Sequence, residues 1–76
     1  MINNNQELFE NLGNLIRDLK NDPWATKFRD AMEISSVPGE ILGQIRLEIA
    51  AYLKENKTSV FQGRAAELKK YLDRVL

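Results

Sequence analysis

The stretch "EISSVPGEILGQIRLEI", residues 33–49, packs two serines, a proline and a glycine together, and a second glycine follows four residues after the first. Such a run is either a loop that holds a ligand or the corner between two helices. Pro38 disfavours helical geometry at Val37, while Ser35 and Ser36 compete for backbone hydrogen bonds, so a helix arriving from the N-terminal side stops here. The pair Pro38-Gly39 then suits the first turn of a new helix. A phosphate cradle is the rival, because serine hydroxyls and free amides at a helix start can receive an anion. The stretch lacks the spacing and the lysine of a P-loop, and Glu40 would repel the phosphate. It is read as a corner.

Working outward on the C-terminal side, a helix is predicted over residues 38–55. Ile41, Leu42, Ile45, Ile49, Tyr52 and Leu53 fall within an arc of roughly 120° at 100° per residue. Gly39, Gly43 and Ala50 line up beside that arc and are expected to admit a neighbouring backbone, which makes this the expected central helix. Leu47 lies about 120° or more from the centre of the stripe, where a simple bundle leaves it exposed. "ENKTSVFQG", residues 55–63, ends the helix. Asn56 is expected in a left-handed terminal conformation, and Ser59 with Gln62 matches a reciprocal capping box. A last helix is predicted over 60–75, with Phe61, Ala65, Leu68, Leu72, Val75 and Leu76 on one face and the C-terminus packed.

On the N-terminal side, "NDPW" places Asp22 to accept from free amides and Pro23 at a first helical position. A helix over 23–34 follows, with Trp24, Ala25, Phe28, Ala31 and Met32 as its stripe. Before it, Leu8, Phe9, Leu12, Leu15, Ile16 and Leu19 repeat at helical intervals and predict a helix over 6–20. "NNNQ" is a polar lead-in, and residues 1–5 are a candidate disordered segment. The fold class predicted is all-α: one compact antiparallel four-helix domain spanning 1–76, because connections of about two to five residues join helices to antiparallel neighbours.

At 76 residues the chain is near the size at which one apolar core can hold a fold unaided. No cysteine is present, so disulfides and thiolate metal sites cannot add support. Lys+Arg and Asp+Glu number 11 each, which removes long-range attraction to nucleic acid or an anionic surface. The charge is uneven: Lys57, Arg64, Lys69, Lys70 and Arg74 face only Glu67 and Asp73 in the last segment, which favours its packing on the more acidic remainder. No run of about 18 apolar residues predicts a membrane span. The start has neither the basic nor the apolar region of a secretory signal, so a cytoplasmic location is expected.

Histidine is absent along with cysteine, which removes the commonest general base, transition-metal ligand and thiol nucleophile. Glu40, Gln44, Glu48 and Glu55 share a face of the third helix, an arrangement better matched to a solvated surface than to paired catalytic carboxylates. No catalytic residue, cofactor, metal or small-molecule substrate is therefore predicted. Helices two and three have the lengths of a helix-turn-helix, and Lys27, Arg29 and Arg46 could touch phosphates. Glu40, Glu48 and Glu55 on the recognition helix oppose that role.

In general style, though in no residue motif, the chain resembles many small bacterial proteins of unassigned role, antitoxin-like and immunity-like inhibitors among them; a bacterial origin is expected and no site residue is carried over. The expected function is non-catalytic: a small helical protein acting through a protein partner or self-association, such as an inhibitor, immunity-like protein or adaptor, with a homodimer through helix three one form of it. A nucleic-acid-binding regulator is the alternative. The candidate partner-binding residues are Trp24, expected only partly buried at a helix start and of a type enriched at hot spots, together with Leu47, Gly39 and Gly43. Tyr52 and Tyr71 are expected at the core edge with their hydroxyls in water.

Overall fold

The computed structural model describes residues 1–76 and contains four helices: α1 (Asn5–Leu19), α2 (Pro23–Met32), α3 (Pro38–Glu55) and α4 (Gln62–Val75). Each apolar stripe seen in the sequence becomes a buried face. Leu8, Leu12, Leu15, Ile16 and Leu19 are buried on α1, and Trp24, Ala25, Phe28 and Ala31 on α2. Leu42, Ile45, Ile49 and Tyr52 are buried on α3, and Ala65, Leu68, Tyr71 and Leu72 on α4. No charged or polar side chain is buried with them. The core is a single apolar cluster, so area removed from water is the main term holding the fold.

The helices form a closed ring in which α1 packs on α2 and α4, and α3 packs on α2 and α4. α3 is thus not the central element expected from its small residues; every helix has two neighbours and one outward face. Polar contacts set the directions. Asn5 and Asp18 at opposite ends of α1 meet Tyr71 and Arg64 at opposite ends of α4, so these two run antiparallel. Arg46 reaches Asp73 while Gln62 reaches the carbonyl of Leu53, which makes α3 and α4 antiparallel as well. The Cα radius of gyration, 11.2 Å, equals the roughly 11 Å expected of a packed chain of this length.

Two of the connections follow the sequence logic. Asp22 accepts from the amide of Trp24 at 2.9 Å, with Pro23 opening α2. The corner at residues 33–37 turns on Ser35, whose Oγ accepts from the Val37 amide at 3.0 Å, and Pro38 opens α3. α1 ends at Leu19 rather than Lys20, because Lys20 takes φ 55° and ψ −110° and the Asp22 amide bonds back to the Leu19 carbonyl at 3.1 Å. That is the geometry of a II′ turn.

Several expectations are corrected. Residues 1–5 are not a loose lead-in: Ile2 is buried, its carbonyl accepts from Arg74 at 2.8 Å, and Asn4 caps α1 by accepting from the Glu7 amide at 2.8 Å. Asn56 has φ −123° and is not left-handed. The capping box does not form: Ser59 Oγ accepts from Phe61 at 3.0 Å, while the Gln62 amide donates to the carbonyls of Leu53 and Asn56, each at 2.9 Å. Gln62 therefore caps the end of α3, and α4 begins two residues later than predicted. Val75 and Leu76 are exposed rather than packed with the α4 face. Both tyrosine hydroxyls leave water for protein partners, Tyr52 with Ser59 at 2.6 Å and Tyr71 with Asn5.

Candidate functional site

α3 contributes the surface that the fold leaves unused. Leu42, Ile45, Ile49 and Tyr52 point into the core, with Arg46 turned toward α4 and Gln44 and Glu48 toward α2. At 100° per residue Leu47 lies about 180° from the centre of the buried four. It is 65% exposed. Beside it are the half-buried Gly43 and Ala50, with Ala51 at the edge where the helix packs on the core, Glu40 one heptad before and Lys54 one heptad after. Neither Glu40 nor Lys54 forms an ion pair.

The other large exposed apolar side chains are Met1, Ile34, Val37, Val60, Val75 and Leu76. These sit in connections or at the chain ends, where an exposed apolar side chain is ordinary. Leu47 alone lies in the middle of a helix, held outward by the orientation of the element.

The four candidate residues are not brought together. Trp24 is 8% exposed and so belongs to the core, contrary to the expectation of partial burial. Its ring meets Tyr52 edge-on at 5.4 Å and Phe28 at 5.8 Å, and Lys27 Nζ lies 4.1 Å above it. Two rings and an ammonium enclose it. Gly39 and Gly43 do not mediate close helix packing inside the domain: a Cβ built on either would meet no atom within 4 Å. Both are on the outside of α3, Gly43 beside Leu47. The hydrophobic pattern alone could have located this face, since Gly43, Leu47, Ala50 and Ala51 are the weakly polar positions opposite the stripe.

Electrostatics divides the remaining surface. Arg64 pairs with Asp18 at 2.8 Å, and Asp73 is shared by Arg46 at 2.8 Å and Lys69 at 2.7 Å. The hydrogen bond from Lys69 lowers the Asp73 carboxyl below its ordinary value, with Arg46 adding to the effect against some desolvation. Arg74 is occupied with the Ile2 carbonyl and the Tyr71 ring. Of the five cations in the last segment, Lys57 and Lys70 remain without a carboxylate, ring or carbonyl partner. Within that segment only these two cations are left free for a phosphate backbone.

Three shallow hollows indent the surface, with volumes of about 140, 170 and 270 Å³. All fall below the roughly 300 Å³ at which small-molecule sites begin. Two lie between the N-terminal residues and α4, and the largest lies between α2 and α3 around Ala31 and Glu48. No helix is long and apolar enough to cross a membrane. No protein-family model, curated protein or solved structure matches the chain.

Proposed function

We propose that the protein acts without catalysis, by binding another protein chain through the outer face of α3, in a cytoplasmic role such as that of an inhibitor or adaptor. The observation that carries this is Leu47: a leucine in the middle of a helix, two-thirds exposed, on the side opposite the core. A buried position there would have stabilised the domain, whereas an exposed one contributes nothing to folding and is available for contact. The small side chains beside it leave a flat surface on which an apolar partner can settle closely, and the unpaired Glu40 and Lys54 supply a polar border. The missing histidine and cysteine support a role without chemistry. The pairing of Arg64, Lys69 and Arg74 within the domain weighs against the nucleic-acid alternative.

The test is Leu47→Asp, with Val60→Asp as a control at another exposed apolar side chain. Both variants should melt within about 1 kcal/mol of the parent, because neither site is packed. Capture of a partner from a lysate of the source cells should be lost for Leu47→Asp and kept for Val60→Asp. Capture that survives Leu47→Asp contradicts the proposal.

A further inference from the structure

The charges bordering Leu47 are placed symmetrically about it. Glu40 and Lys54 are each seven residues from Leu47, about 10.5 Å along the axis in opposite directions. Each heptad drifts only about 20° around an α-helix, so the three share one line on the outer face. When two copies of α3 lie antiparallel with Leu47 at the crossing, residues equidistant from position 47 face each other. Glu40 then meets Lys54 of the second copy, and Lys54 meets its Glu40. Gly43 faces Ala51, Ala50 faces Gln44, and the two Leu47 side chains meet at the centre. A parallel arrangement would set Glu40 on Glu40 and Lys54 on Lys54.

From this charge complementarity we infer that the occupant of the α3 face is a second copy of this chain, in a two-fold antiparallel pair centred on Leu47; this rests on the protein-binding function proposed above. The pair is isologous, the geometry by which most homodimers close. Opposed helix dipoles favour it, and a net charge of zero sets up no overall repulsion between copies. Both apolar side chains and charges are used: the two Leu47 side chains pack against each other on the two-fold axis, flanked by Gly43 and Ala50 of each copy, and four unpaired charges form two cross-pairs.

One helix about 27 Å long and 10 Å wide covers roughly 300 Å² per copy, well under the ~800 Å² of a standard interface. The association is consequently weak and reversible.

Sedimentation equilibrium over a concentration series tests the pairing, with melting curves recorded for every variant. The parent should move from monomer to dimer as concentration rises. Glu40→Lys and Lys54→Glu, each of which creates two like-charge contacts, should each weaken the dimer by about tenfold. An equal mixture of these two variants should associate like the parent, since every cross-contact is then attractive. The double variant Glu40→Lys/Lys54→Glu should also be restored. Each single change reverses a favourable contact with the α3 dipole and lowers its melting point slightly; that loss is not relieved by mixing, so the mixture isolates the contact between copies.

A parent that stays monomeric up to about 1 mM overturns the inference. So do single variants that dimerise as well as the parent. Monomeric protein that still captures a different chain through Leu47 overturns the self-pairing and leaves the proposed function standing. Self-association unaffected by Leu47→Asp overturns the pairing at this face, and capture unaffected by the same change overturns the proposed function.

Discussion

Lys20 holds φ 55° and ψ −110° at the first central position of the turn between α1 and α2, a conformation that favours glycine because a Cβ is crowded there. Lys20→Gly is expected to stabilise the domain by about 0.5–1 kcal/mol, measured by urea denaturation, despite the entropy glycine adds to the unfolded chain. A loss of stability would mean that the turn does not strain the lysine. Residue chemistry was readable where one side chain has one plausible local job. Asp22 before Pro23 is such a case, and its bond to Trp24 is present. It was misleading where a side chain has several jobs within reach. Gln62 abandons the local cap for two carbonyls at the end of α3, and Tyr71 finds Asn5 across the ring. Neither choice is visible at short range in sequence.

Each of the four helices was legible, because periodicity identifies a buried face without knowledge of what covers it. The covering partners were not. The line of Gly39, Gly43 and Ala50 suggested a neighbour within the domain, yet a helix has only one core side and these residues fall outside it. Trp24 misled in the opposite sense: its place at the first turn of α2 suggested exposure, and the rings of Phe28 and Tyr52 enclose it. One polar link between α3 and α4 is Arg46 with Asp73, whose carboxyl is held below its ordinary value first by the hydrogen bond from Lys69 and then by Arg46. A carboxylate with a lowered folded-state pKa contributes stability that is complete above its unfolded value. That contribution is lost as pH falls through the lower, folded-state value. Melting temperatures should therefore fall less steeply on acidification through that window for Asp73→Asn than for the parent, and the variant should melt lower at neutral pH. Parallel curves would show that Asp73 is not coupled to folding.

At the scale of the molecule, a domain of this length is stabilised by only about 4–11 kcal/mol, so the closure of the ring matters. Closure between α1 and α4 depends on residues that composition alone marks as a polar lead-in. Ile2 is buried at 6% exposure, with Arg74 donating to its carbonyl and Tyr71 to Asn5 nearby. Ile2→Ala is expected to cost about 2 kcal/mol in urea denaturation; no change would mean that the segment is not part of the core. The same closure leaves Leu47 exposed on the outward face of α3, and the proposed contact with a partner lies there. The direct measurement is a dilution series followed by amide chemical shifts. Concentration-dependent shifts should be confined to the outer positions of α3, Glu40, Gly43, Leu47, Ala50, Ala51 and Lys54. Shifts centred on α1, or none at any concentration, would contradict the account.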